Sequence, residues 1–205
     1  MDMENEKEEQ LPFHKTLTLY LHDIFYLLCA MMISLVLIFR VVVVSGTSMN
    51  MTLLDGDYLL LLSNTFYTQP RQGDIVVVSK QSFDDGKAFV KRVIATEGQS
   101  VDIDFEAGIV YVDGLPLDEA YVNTPTNTTG GTQFPLVVEE GCIFAMGDNR
   151  NISKDSRYPD IGLIDTREIL GKAIFLVVPG TNGSRNPQPR DLTRIGVIEL
   201  WNERK

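Results

Sequence analysis

Hydrophobic and polar positions divide the chain into two unlike parts. From Ile24 to Phe39 the sequence reads IFYLLCAMMISLVLIF, with no charge between Asp23 and Arg40. Followed as helix through Arg40 to Val44, the run is about 21 residues or ~31 Å long, enough to cross the core of a bilayer. A core helix of a soluble domain needs a solvent face, and this run offers none. It is also longer than the apolar core of a cleaved export leader, and Arg40 intrudes before the loosely suitable small residues Val43 and Ser45. The pattern therefore predicts a retained transmembrane anchor over 17–40. Arg40 would sit near one end, its long side chain reaching the headgroups. Lys7 and Lys15 flank one side and Arg40 the other, so the charges leave the orientation open.

Beyond the anchor the period changes to that of strands. Val41–Val44, Tyr58–Leu62, Ile75–Val78, Phe89–Ala95, Val101–Ile103, Ile109–Val112, Ile143–Met146 and Ala173–Val178 are short runs of β-branched or large apolar residues. Turn residues punctuate them: Asp55-Gly56, Gln72-Gly73, Asp85-Gly86, Asp113-Gly114 and Gly147-Asp148-Asn149. No helical period of any length interrupts the series. A mostly β fold is expected, an antiparallel β-sheet domain over 41–180 preceded by one N-terminal transmembrane helix. Within it, residues 97–141 read as a small β insertion. Their segment NTPTNTTGGT, Asn123–Thr132, is too polar to join a core. Residues 181–190 read as a Gly/Pro/Asn linker. Asp191–Lys205 reads as a short amphipathic surface helix carrying Ile195, Val197, Ile198, Leu200 and Trp201.

Composition narrows the classes of function. The net charge of −10 and the absence of any Lys/Arg cluster argue against a nucleic-acid partner. Part of the excess lies in an acidic N-terminal tail over 1–16, which has little to pack. The two cysteines, Cys29 in the apolar run and Cys142 far downstream, make no disulfide framework. No metal-ligand spacing is present either, and neither a metal nor a cofactor is expected.

Three segments can carry chemistry: Ser45-Gly46-Thr47-Ser48-Met49, Phe89-Val90-Lys91-Arg92-Val93-Ile94, and the run from Gly147 to Arg157, GDNRNISKDSR. If the second is a strand, Phe89, Lys91 and Val93 share one face. A lysine between large apolar residues is either snorkelling at a solvated edge or partly desolvated. Desolvation disfavours the ammonium and lowers the pKa, as a general base requires. His14 and His22 lie before or at the start of the apolar run, so serine chemistry beyond the anchor would need a lysine base.

In order and separation these segments resemble the type I signal peptidase family over residues 15–180. Ser45–Leu53 matches its SGxSMxPTL motif, Lys91-Arg92-Val93 its KRV/I strand, Gly147–Arg157 its GDNRxxSxDSR motif, and Gly73–Val77 its GD-plus-strand segment. The resemblance implies a serine endopeptidase with Ser48 as nucleophile and Lys91 as general base. It implies that Ser153 hydrogen-bonds the Lys91 amine, and that Asp155, Arg157, Arg92 and Asp148 form an ion-paired scaffold. Val43, Val44, Ser45 and Met49 would receive substrate. Secretory preproteins cut after Ala-x-Ala-like sites would be the substrates. The lipid bilayer would be the support, with the catalytic domain on its extracytoplasmic face, and the protein-export translocon a working partner. Two positions depart from the pattern: Met51 replaces the proline after the SM pair, and Gly46 stands where some members carry a serine that assists the oxyanion. The competing class is a non-cleaving assembly factor for secreted or pilus subunits, which would lack the nucleophile or the base. A self-cleaving repressor would need a DNA-binding segment in place of the anchor.

Overall fold

The apolar N-terminal run folds as helix α1, Phe13–Ile38. A computed structural model describes residues 13–181 and 189–198, and the chain divides into two compact units, residues 1–37 and 38–205. Within α1, Leu17–Ile38 is long and apolar enough to cross a membrane, about 33 Å at the helical rise, and none of it is buried. Its Ser34 hydroxyl donates to the Ala30 carbonyl (2.8 Å), which satisfies a polar group without any outside partner.

The end of this helix corrects the sequence reading. Helix was expected through Arg40, yet it stops at Ile38, and Phe39–Val43 form strand β1. Arg40 pairs with Leu61 and Val43 with Tyr58 of β2, Tyr58–Ser63. No helix breaker marks this point. The β-branched run gains a full cross-strand ladder, which outweighs continuing the helix.

The remaining strands are β3 (Ile75–Ser79), β4 (Ala88–Thr96), β5 (Ser100–Asp104), β6 (Ile109–Val112), β7 (Leu115–Pro116), β8 (Leu136–Val137), β9 (Cys142–Met146), β10 (Ile164–Asp165), β11 (Ile169–Val178) and β12 (Gly196–Val197). The main sheet runs β1-β2-β11-β3-β4-β9-β10, with β12 against β11; a second sheet runs β7-β6-β5-β8. Every pairing is antiparallel. The second sheet lies wholly within residues 97–141.

Alternation explains the layers. One face of the main sheet carries Leu59, Leu61, Ile75, Val77, Ala173 and Leu176, packed with Val44, Met49 and Leu53 of the segment after β1. The opposite face carries Val76, Val78, Val93, Ala145 and Ile169. A third cluster joins Ile94, Phe144 and Met146 to Val101, Ile103, Val110 and Val112 of the second sheet. Each buried large aliphatic side chain contributes about 1.5–3 kcal/mol, so the loop carrying Ser48 is anchored by Met49 and Leu53 on either side of an exposed turn.

Two further expectations change. The helix read over Asp191–Lys205 is absent from its described part. Leu192–Arg194 is a single 3-10 turn capped by Asp191, and β12 pairs with Phe175 and Leu176. Ile198 is buried in the main core; Leu200 and Trp201 lie outside the described residues, as do the acidic residues 1–12 and most of the linker. A single extended crossing of β11 buries Ile198 while spending fewer residues than a helix would. The polar loop at Asn123–Thr132 adds nothing apolar to the core, yet its Thr126 is fully buried.

Candidate active site

The segment carrying Ser48 is a turn between β1 and β2. Asn50 N–H donates to the Thr47 carbonyl (3.1 Å) and Leu53 N–H to the Met49 carbonyl (2.9 Å). The Asp55 carboxylate accepts the Gly46 N–H (2.7 Å). Gly46 has φ +95°, a conformation glycine adopts without strain. The turn leaves Ser48 half-buried between the buried Met49 and the exposed Thr47.

Lys91 lies in β4, an interior strand flanked by β3 and β9. That decides between the two readings of this lysine. It is no solvated edge residue: only 4% of it is exposed. Its Nζ lies 2.9 Å from Ser48 Oγ and donates to the Val90 carbonyl (3.0 Å). The Phe89 ring lies 5.4 Å from the same atom. Burial dominates the electrostatics and favours the neutral amine. Asp155 and Asp148 oppose it, Arg157 reinforces it, and the pKa falls from its ordinary 10.5 to about 8.

Beneath the pair lies a fully buried ionic layer. Arg92, next to Lys91 but pointing to the other face, donates to both carboxylate oxygens of Asp148 (2.8 and 2.7 Å). Arg157 grips Asp155 in the same way (2.8 and 3.0 Å). Asp148 also accepts the Thr52 hydroxyl (2.5 Å), and Asp155 accepts the Gly147 N–H (3.0 Å). The Ser48 turn and the 147–157 loop are thus laced together, with Asn149 N–H on the Ser48 carbonyl (3.0 Å). Gly147 makes this approach feasible. A Cβ there would stand 2.5 Å from the Ser48 carbonyl oxygen and 2.2 Å from Ser153 Oγ.

The comparisons bear on the chain as a whole. The model for signal peptidase, peptidase S26, matches residues 17–178. The chain belongs to this family. A probable signal peptidase I-1 of Synechocystis sp. is 38% identical over 166 residues, 76% of this chain and 81% of its own. Signal peptidase I of Bacillus licheniformis is 33% identical over 150 residues, 69% of this chain and 78% of its own. A crystal structure of a signal peptidase I from Enterococcus faecalis is 28% identical, covers 51% of this chain and 97% of its own, and has a TM-score of 0.42.

Not every residue expected at a signal peptidase site is where it was expected. The Ser153–Lys91 hydrogen bond is not formed. Ser153 Oγ is buried and has no hydrogen-bond partner among the described residues; Lys91 Nζ is turned to Ser48 and Val90 instead. Of the residues expected to receive substrate, Val43 and Ser45 are exposed, but Val44 and Met49 are 4% and 1% exposed and packed in the core. They therefore offer substrate no open surface. Met51, in place of the family proline, is exposed at the rim of a cavity of about 250 Å³ lined also by Asn50, Asn123, Thr124 and Asn149.

Sequence reasoning missed the brace on the far side of the ionic layer. The Tyr121 ring stacks 3.8 Å from the Arg92 guanidinium. Arg150, fully buried, bonds Glu119, Thr126 Oγ1 (3.0 Å) and the Gly147 carbonyl (3.1 Å). Asn151 accepts the N–H groups of Asn127 and Thr128 (3.1 and 3.2 Å). Arg150 stands in the GDNR motif, and its charge in a region that must be buried was the available signal for an acidic partner elsewhere.

Proposed function

We propose that this signal peptidase family member is a membrane-bound serine endopeptidase that removes N-terminal signal peptides from exported preproteins after small residues. Ser48 is its nucleophile and Lys91 its general base. The single observation that carries this reading is the 2.9 Å contact between Ser48 Oγ and the Nζ of a buried lysine whose pKa is lowered to about 8. An exposed lysine near pKa 10.5 would be almost wholly protonated at neutral pH and unable to accept a proton.

The steps follow from the groups present. Neutral Lys91 takes the proton of Ser48 Oγ as that oxygen attacks the scissile carbonyl. The Ser48 N–H, which bonds to no other described residue, is free to stabilise the oxyanion. Lys91 then returns its proton to the departing amine, and the mature protein leaves. Water, deprotonated by Lys91, hydrolyses the acyl-enzyme and frees the signal peptide. Strand β1 is the first strand of its sheet, so the side away from β2 supports pairing with an extended substrate backbone. Helix α1 supports membrane attachment. The ionic layer of Arg92, Asp148, Asp155 and Arg157 supports the pair and performs no bond-making step.

The test uses the detergent-solubilised protein and a precursor with an Ala-x-Ala site. Ser48→Ala and Lys91→Ala should each abolish cleavage with the fold retained, and the double variant should be hardly worse than either. Lys91→Arg should be equally inactive, since a guanidinium keeps its proton. Cleavage by any of the single variants would show that the pair is wrongly assigned.

A further inference from the structure

The family match ends at residue 178, yet the described chain beyond it returns to the nucleophile turn. Asp191 caps the 3-10 turn Leu192–Arg194 through the Thr193 N–H (3.0 Å). This turn delivers Arg194 to Asp57, one residue before β2. Arg194 donates Nη1 to Asp57 Oδ1 (2.9 Å) and Nη2 to Asp57 Oδ2 (2.7 Å). Its Nη2 also donates to the Thr52 carbonyl (3.2 Å). Asp57 is fully buried and accepts two backbone N–H groups besides, from Leu54 (2.8 Å) and Gly180 (2.6 Å).

Asp57 and Thr52, which the Arg194 guanidinium bonds, lie in, or close, the turn that carries Ser48. Thr52 sends its hydroxyl to Asp148 in the ionic layer. Asp55, two residues before Asp57, holds the Gly46 N–H. Gly180 packs so closely on this turn that a Cβ would stand 2.2 Å from the Asp55 carbonyl oxygen. The anchorage of the strap is equally direct: β12 pairs with β11, Ile198 N–H donates to the Ile174 carbonyl (3.1 Å), and Ile198 packs in the same cluster as Met49 and Leu53.

We infer that the segment 191–198 is a strap that positions the nucleophile, with Arg194 its positioning residue: its bidentate grip on Asp57 and its bond to Thr52 fix residues 46–57 so that Ser48 Oγ meets Lys91. A bidentate guanidinium–carboxylate pair fixes direction as well as distance. Lys91 itself is held from elsewhere, in β4 opposite Val76 of β3. The strap therefore governs where the hydroxyl sits and leaves the acidity of the amine alone. This inference rests on Ser48 and Lys91 being the reacting pair.

The test compares full-length Arg194→Ala, Arg194→Lys and Ser48→Ala proteins on a synthetic Ala-x-Ala precursor peptide, below their melting temperatures. Rates are taken per active site from single-turnover burst amplitudes. Arg194→Ala should lower the per-site acylation rate ~10- to 100-fold, the scale of an ångström-sized misplacement of a reacting group. KM should stay within about twofold, and the acid limb of the pH profile should not move. Arg194→Lys, which keeps the charge and loses the fork, should fall between Arg194→Ala and the parent. A merely structural arginine predicts fewer active sites of normal rate, and an unchanged per-site rate in Arg194→Ala would overturn the inference. Should Arg194→Ala fail to fold, Arg194→Lys decides: a per-site rate equal to the parent overturns it too. Cleavage by Ser48→Ala would instead remove the catalytic reading on which it rests.

Discussion

At Lys91, two residue-scale forces oppose each other, and burial wins. Asp155 and Asp148 draw its pKa upward, yet removal from water lowers it to about 8. With Lys91 as base, kcat/KM should rise with pH through an apparent pKa of about 8 and level off above it. The same shift sets a stability term of opposite character to an ordinary ion pair. Below pH 8 the lysine is protonated both folded and unfolded, and the net penalty of the buried ammonium, about 3 kcal/mol from the shift, weighs on the fold. Between pH 8 and 10.5 the unfolded chain holds the extra proton, so stability should rise with pH across that window. Lys91→Met should abolish both the rise and the activity, and be at least as stable as the parent at pH 7. Chemical denaturation at pH 7 and 10 checks this, and a less stable methionine variant would contradict it. Ser153 belongs to the same scale. A buried hydroxyl without a partner costs about 1–3 kcal/mol, and it sits where its Oγ meets Gly147, against the turn of Ser48.

At the scale of elements, the insertion is bound to the floor of the site. Residues 119–128 lay Tyr121 over Arg92 and meet Arg150 with Glu119 and Thr126. A buried guanidinium stripped of its carboxylate is an uncompensated charge, typically costing 3–5 kcal/mol. Glu119→Ala should therefore lower stability by about that amount, read as a shift in the urea midpoint at constant m. Proteolytic nicking of the 119–132 loop should increase with it. A midpoint within about 0.5 kcal/mol of the parent would show that Arg150 finds other compensation.

At the scale of the whole molecule, one long apolar helix precedes a β unit with its own cores. A soluble precursor would not need such a helix. A substrate whose own apolar segment is still in the bilayer would need the enzyme kept at the same surface. With the orientation taken from the resemblance to signal peptidases, we propose that the domain beyond Arg40 lies on the extracytoplasmic face. Protease added to intact protoplasts should digest it, whereas protection would reverse the topology.

How much of this was legible beforehand depends on the range of the interaction that decides each feature. The apolar helix, the eight apolar runs read as strands and their turns are local patterns, set by period, β-branching and turn chemistry, and could be read in order along the chain; the pairing of the serine turn with the KR strand and the GDNR loop came only from the family resemblance. A strand was read at Val41–Val44, but the sequence could not say that Phe39 and Arg40 join it, because the ladder that draws them in comes from Tyr58–Ser63, some twenty residues on. Nor could it say that the tail is a strap rather than a helix, since Arg194 and Ile198 are explained only by Asp57 and the Met49 cluster. Lys91 makes the point most sharply. Its neighbours Phe89 and Val93 fit a solvated edge and a buried base equally well. Only β3 and β9 on either side exclude water, and it is that exclusion that lowers the pKa and leaves the amine beside Ser48.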